Sequence, residues 1–303
     1  MSTQVLNTKA QQAGIPIEKS TNREIAFVSD TQTPIWVESV FLRNNHNARA
    51  TGIIFNEIIR KQPRALFILG DVVSLGYSNR KWTVVDRYLS TVRDKGTPVY
   101  ALLGNHELMG RPKRGEANFQ ERFPEHQRTG YMQIVDSVGI IMLNSNFSSL
   151  SKAEIETQQQ WLKSTLDSFE ANNEVKAVIM SCHHSPYTNS KLVNSNVQVQ
   201  EQFVKEFLKY GKCRLFISGH CHAFEYFKME GKDFLVIGGG GGLQHPLYHN
   251  GEKYIEDLSE QYKPLFHYVT VRRDDNELHV FSHNLKDDFS GFDQGFDLKI
   301  PLK

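Results

Sequence analysis

Residues 99–107 read VYALLGNHE. An apolar run from Val99 to Leu103 stops at Gly104, and Asn105, Glu107 and, between them, His106 follow at once. A short unbroken apolar run closed by glycine reads as a strand buried on both faces, the kind that fills parallel α/β sheets. Three chemically capable side chains at the mouth of such a strand need partners from elsewhere in the chain.

Four more strand-like runs end the same way. EIAFVSD, residues 24–30, stops at Asp30, with Gln32 two positions on. RALFILGD, 64–71, ends in Gly70-Asp71. EVKAVIMSCHH, 174–184, ends in His183-His184, and CRLFISGHCH, 213–222, ends in Gly219-His220-Cys221-His222. Helical patterns lie between them. Ile54, Phe55, Ile58 and Ile59 share one face, and Trp82, Val85, Leu89 and Val92 repeat before a stop at Gly96. Ser151 and Glu154 form a capping-box pattern, continued by Ile155, Leu162, Leu166 and Phe169. A further helix is expected around 197–210. TGYMQIVDS (129–137) and GIIMLNSN (139–146) read as paired strands, and RDDN, 273–276, as the turn of a hairpin. Residues 111–130 are charged and aperiodic and read as a loop. Residues 1–23 read as a flexible N-terminal arm, and 24–303 as one domain.

Bulk properties exclude several classes. The 303 residues carry a formal net charge of +1, with 39% hydrophobic and 23% charged residues, as in ordinary soluble globular proteins. No polybasic surface for nucleic acid or membrane is indicated. No apolar run approaches the roughly 20 residues of a membrane span. The N-terminal stretch has no charged start followed by an apolar core, so a cytoplasmic location is expected. Three cysteines, Cys182, Cys213 and Cys221, argue against a complete disulfide framework. Cys182 and Cys213 read as buried thiols. Strand alternation points Cys221 away from its histidine neighbours.

Five endings of one kind imply that the strand ends share a rim, where layered α/β folds build their sites. Asp30 and Asp71 offer carboxylates, Asn105 an amide oxygen, and His184, His220 and His222 imidazoles. Hard oxygen with imidazole nitrogen and no thiolate suits manganese, iron, zinc or cobalt. Six ligands exceed one catalytic zinc and suit two ions that share a carboxylate. Gly70, Gly104 and Gly219 let the chain turn sharply off each strand.

In order, SDTQ, LGDVVS, LGNHE, CHHSP and SGHCH resemble the blocks of the calcineurin-like metallophosphoesterase superfamily over residues 24 to 284. The resemblance implies an α/β fold of four layers, an α/β/β/α sandwich of two mixed sheets flanked by helices. It implies metal-dependent hydrolysis of a phosphate ester, monoester or diester, by a metal-activated hydroxide. Two ions, of manganese, iron or zinc, would be held: the first by Asp30, Asp71 and His222, the second by Asp71, Asn105, His184 and His220. His106 would face the phosphate and serve the leaving oxygen. Glu107 would orient a histidine without touching metal.

The sequence departs from that pattern where the family's first block has histidine and this chain has Gln32, whose amide oxygen is a weaker ligand. Ser74 stands where the purple acid phosphatase branch has tyrosine, so no charge-transfer colour is expected. HSPYTNS resembles that branch and favours His184 over His183 as ligand, leaving His183 to packing or support. Tyr187 and Asn189 are candidates for the substrate rim. His126 and His245 read first as surface residues, and Gly238–Gly242 as a side-chain-free turn beside the site. The expected partner is a small phosphorylated substrate. The alternative is a non-catalytic scaffold on the same fold, which the presence of His106 opposes.

Overall fold

The computed structural model describes residues 24–34, 46–259 and 262–302; the N-terminal arm lies outside them. Among these residues twelve strands form two six-stranded sheets. The first sheet contains β1 (Ile25–Val28), β2 (Ala65–Ile68), β3 (Val99–Ala101), β10 (His267–Arg273), β11 (Glu277–Leu285) and β12 (Phe292–Pro301), ordered β12-β11-β10-β1-β2-β3. The second contains β4 (Tyr131–Val135), β5 (Val138–Leu143), β6 (Ala177–Cys182), β7 (Cys213–Ser218), β8 (Phe224–Met229) and β9 (Lys232–Ile237), ordered β4-β5-β6-β7-β9-β8. Both sheets are mixed. β1, β2 and β3 run parallel, as do β5, β6, β7 and β9, while the remaining pairings are antiparallel.

Side-chain alternation explains the stacking. Ile25 and Phe27 of β1, with Ala65 and Phe67 of β2, face inward and meet Ala177 and Ile179 of β6 and Leu215 and Ile217 of β7. Ala26, Val28, Leu66 and Ile68 face outward, against Ile54, Phe55 and Ile58 of α1 (Asn47–Lys61) and Trp82, Val85 and Leu89 of α2 (Asn79–Asp94). On the other side, Val178 and Met180 face Leu162, Leu166 and Phe169 of α5 (Lys152–Ala171) and Phe203 and Phe207 of a helical stretch at 197–207. The result is an α/β/β/α sandwich with one core between the sheets and one under each helical layer. Strands buried on both faces are why the sequence shows continuous apolar runs.

The expected helices and the β10–β11 hairpin are present. The stretch at 111–130 differs. After the single turn α3 (Asn105–Leu108), Pro112–Arg122 forms helix α4. Proline suits a first helical turn, and Phe119 with Phe123 packs against Trp82, ring centroids 6.3 and 6.4 Å away. Charged outer positions hide so short an apolar stripe. Among the described residues no helix is long and apolar enough to cross a membrane. All three cysteines are free and buried.

At the start of α5 the capping box is formed. Ser151 Oγ accepts from the Glu154 N–H at 3.3 Å, and Glu154 Oε2 accepts from the Ser151 N–H at 2.7 Å. Replacing Ser151 with Ala is expected to lower stability by about 1 kcal/mol in urea titration. The Ser151 N–H and hydroxyl, with the Arg128 guanidinium, draw Glu154 down to about 2. A carboxylate lowered on folding stabilises above its ordinary range. That contribution should fade in the wild type as pH falls from about 4.5 toward 2, and Glu154→Gln should remove this pH dependence.

Candidate metal centre

The site lies where the carboxyl ends of β1, β2, β3, β6 and β7 meet between the sheets. Three residues leave their strands in the left-handed region: Asp30 at φ +59°, Asp71 at +49° and His220 at +65°. Such backbone costs a non-glycine residue about 1–3 kcal/mol and persists where the surroundings fix it. The turns are interlocked. The Asp30 N–H donates to the Gly70 carbonyl at 3.1 Å, and the Gln32 N–H to the Asp71 carbonyl at 3.1 Å. The His220 N–H donates to Asp30 Oδ2 at 2.9 Å, and the His106 N–H to Asp71 Oδ1 at 2.8 Å. Gly104 has to be glycine here, since a methyl group on its α-carbon would lie 2.1 Å from Asp71 Oδ1.

Two groups of donors converge, each with ligand atoms within 4.8 Å of one another: Asp30, Asp71 and His222, and Asp71, His183 and His220. Asp71 belongs to both. His222 Nε2 is 3.4 Å from Asp30 Oδ1. His183 Nε2 is 3.2 Å from Asp71 Oδ2 and 3.1 Å from Asn105 Oδ1. The sequence favours His184 as ligand, whereas the converging group contains its neighbour His183. Ala177 and Ile179 of β6 face the inter-sheet core and Val178, Met180 and Cys182 the outer one, so position 183 continues the inward row. His184 has its Nδ1 2.8 Å from Ser145 Oγ, and its ring lies 4.5 Å from that of His220.

Three imidazoles are held alike. Nδ1 of His183 donates to the Leu69 carbonyl at 2.9 Å, that of His222 to Leu243 at 2.7 Å, and that of His106 to Ser74 at 3.1 Å. A carbonyl only accepts, so each ring presents Nε2 to the site, the arrangement that orients metal-ligating histidines. Nε2 of His106 lies 3.9 Å from Asp71 Oδ2. Gln32 is fixed by the same logic. Its amide nitrogen faces the carbonyl oxygens of Asp30 and Asp71, at 3.2 and 2.8 Å, and its oxygen faces His222 Nε2 at 3.2 Å.

Burial drives the electrostatics. It works to raise Asp71, yet the imidazoles of His183 and His106 hold that carboxyl well below the usual carboxylate range. Burial pushes the His183 ring down, but the Asp71 carboxylate lifts it to about 9. His222 is likewise raised, against burial, by Asp30. His220 and His184 are lowered by burial, His184 to about 3. The two enclosed carboxylates thus raise the rings beside them, His183 and His222. The donors fit two divalent ions: shared Asp71, with Asp30, His222 and Gln32 on one side and Asn105, His183 and His220 on the other.

Other expected site residues serve differently. Glu107 braces backbone and not a histidine: its carboxylate accepts from the N–H groups of Gly104 (2.8 Å), Asp71 (2.9 Å) and Val73 (3.1 Å). Burial and the Asp71 charge raise it to about 7. Tyr187 packs among Phe227 and Phe234, in the outer core and away from the rim. Asn189 is buried and bonded to the main chain of Ile255, which fixes the 245–255 loop. His126 is buried against Phe119 and Tyr131. No pattern in the sequence marks Asn47, whose amide donates to the carbonyls of Gly241 and Gly242 at 2.7 and 3.1 Å. A groove of about 350 Å³ lined by Leu108, Met109, Pro112, Asn146 and Ser148 opens beside Asn105, with no charged lining residue among the described residues.

Comparison with known proteins agrees with this architecture. Residues 23–224 match the family described as calcineurin-like phosphoesterase, and the chain belongs to that family. The fold is shared with purple acid phosphatase PPD1 from yellow lupin (Lupinus luteus), at TM-score 0.64 and 14% identity over 91% of this chain and 53% of that one. This chain therefore spans about half of the lupin enzyme. It is shared with GAP50, the anchor in the inner membrane complex of Plasmodium, at TM-score 0.68 and 14% identity over 92% and 89%. It is also shared with a dimetal phosphatase from Danio rerio, at TM-score 0.55 and 14% identity over 92% and 99%. A comparison with curated protein sequences gives no match.

The two histidines are separable by experiment. With manganese supplied in excess and unbound metal removed, elemental analysis should find His183→Ala depleted of about one ion per chain relative to wild type. His184→Ala should retain both. Depletion in His184→Ala with both ions retained in His183→Ala would return the choice to His184.

Proposed function

We propose that the chain is a two-metal phosphoric ester hydrolase acting on a small phosphorylated substrate, a phosphomonoester or a phosphodiester. One observation carries the reading: two enclosed carboxylates, an asparagine and three histidines surround a common centre, and His106 faces it from outside the ligand set. Asp30, Gln32, Asp71 and His222 would hold one ion, and Asp71, Asn105, His183 and His220 the other. When bound, such a pair supplies Lewis acidity toward phosphoryl oxygens and acidifies water to hydroxide near neutral pH.

The protein's own groups do the rest. Asp71 fixes the spacing of the two halves. The Nδ1–H bond of His106 to Ser74 stops its ring from rotating and leaves Nε2 beside the reacting phosphoryl group. A proton held at Nε2 is then in place to pass to the leaving oxygen as the ester bond breaks. The uncharged groove beside Asn105 supports an alcohol leaving group with apolar and hydroxyl character. The fold by itself does not decide between catalysis and scaffolding. His106, which no ligand role requires, favours catalysis.

Chelation should abolish turnover of p-nitrophenyl phosphate and bis-p-nitrophenyl phosphate, and added manganese should restore it. His106→Ala should lower kcat by about 10²–10⁴-fold while elemental analysis finds the metal content unchanged. Silence of the wild type on both substrates with manganese, iron and zinc would favour the scaffold.

A further inference from the structure

His245 lies outside both converging groups. Its ring packs on that of His222, centroids 4.4 Å apart and planes at 31°. Its main-chain N–H donates to the His222 carbonyl at 3.1 Å. Ser190 Oγ stands 3.2 Å from His245 Nδ1 and accepts the N–H groups of Leu192 and Val193 at 3.1 and 3.2 Å. A hydroxyl has two lone pairs and one proton. With both lone pairs engaged, the Ser190 hydroxyl has only its proton to offer His245 Nδ1, a proton also within reach of the Cys221 thiol. The neutral ring therefore carries its own proton on Nε2. His245 is half-buried, and no bond from Nε2 is formed among the described residues.

The segment bearing this ring is fixed from several sides. The Lys191 N–H donates to the Pro246 carbonyl at 2.9 Å, and the Tyr248 N–H to the Asn189 carbonyl at 2.7 Å. Asn47 anchors Gly241 and Gly242. Gly242 admits the His222 ring, which lies 2.4 Å from where a methyl group would sit. A donor set this firmly beside a candidate ligand is preorganised for an anion.

We propose that His245 donates from Nε2–H to a non-bridging oxygen of the phosphoryl group, on the Asp30–His222 side of the site. His106 would serve the Asp71 side. The proposal rests on the phosphoester reading for its ligand, and its chemistry is common to a substrate ester and inorganic phosphate.

The test uses the manganese-loaded full chain as wild type, His245→Ala and His245→Gln. Inorganic phosphate binding is followed by calorimetry and p-nitrophenyl phosphate hydrolysis by steady-state kinetics. His245→Ala should weaken phosphate binding and raise KM by about tenfold, with kcat and manganese content within about twofold of wild type. His245→Gln, whose amide nitrogen reaches a similar position, should recover most of the loss. Long-range ¹⁵N–¹H correlation on the metal-free protein should find the His245 proton on Nε2. Unchanged phosphate affinity in His245→Ala would overturn the proposal. So would loss of manganese from that variant, which would mark a packing role under His222, or a proton found on Nδ1. If the wild type hydrolyses no ester while His245→Ala still binds phosphate more weakly, the hydrolase reading fails and the donor role stands.

Discussion

The buried carboxylate of Asp71 is the constraint around which the site is arranged. An ionised carboxylate enclosed between two sheets is strongly disfavoured unless opposite charge and hydrogen-bond donors surround it. Here the His106 N–H, the His183 ring and the His106 ring supply that environment. Its own N–H is held by Glu107, which also holds the N–H groups of Gly104 and Val73. One glutamate thus ties the end of β2 to the end of β3. The Asp71 carbonyl ties β2 to β1 through the Gln32 N–H. The left-handed backbone of Asp71 is over-determined by this set of bonds, so its side chain is aimed before any cation arrives.

The inter-sheet core and the centre are parts of one pattern. Rows of inward side chains, Ile25 and Phe27, Ala65, Phe67 and Leu69, Ala177 and Ile179, Leu215 and Ile217, pack against one another. At the carboxyl ends of the same strands apolar residues give way to Asp71 and His183, continuing those rows. Packing that stabilises the sandwich therefore also sets the distances between ligands. Precise placement of this kind comes more readily from strand ends than from free loops.

This is also why much of the architecture was legible beforehand. Each buried strand announces itself as an apolar run, and each run stops at a polar donor. Four of the ligand candidates on the strand ends, Asp30, Asp71, Asn105 and His220, follow from that alone. Helix α4 was obscured because Phe119 and Phe123 are few apolar residues among charged ones. For the adjacent histidines two signals compete: the HSP likeness favours His184, whereas Cys182, apolar and facing outward, places its neighbour His183 inward. Tyr187 packs on Phe234 and Asn189 bonds to Ile255, because proximity in sequence to a candidate ligand says nothing of direction once the chain passes Ser185 and Pro186. Asn47, Ser145 and Ser190 are isolated polar residues whose partners lie far along the chain, and no pattern marks them.

The composition of the ligand set has a consequence for what the site attracts. Among the candidate ligands only Asp30 and Asp71 are formally anionic; Gln32, Asn105 and the neutral imidazoles add donors without charge. Two divalent cations, if held there as proposed, would bring four positive charges against two negative ones. The enclosed centre would then carry a surplus of about two, in surroundings where charge is poorly screened. A histidine in place of Gln32 would leave that sum unchanged, because both are neutral ligands, so the substitution acts on affinity for the ion and not on attraction for the anion. An acidic residue there would reduce the surplus. With its nitrogen fixed by two carbonyl groups, Gln32 turns an oxygen toward His222 and adds no charge to the centre.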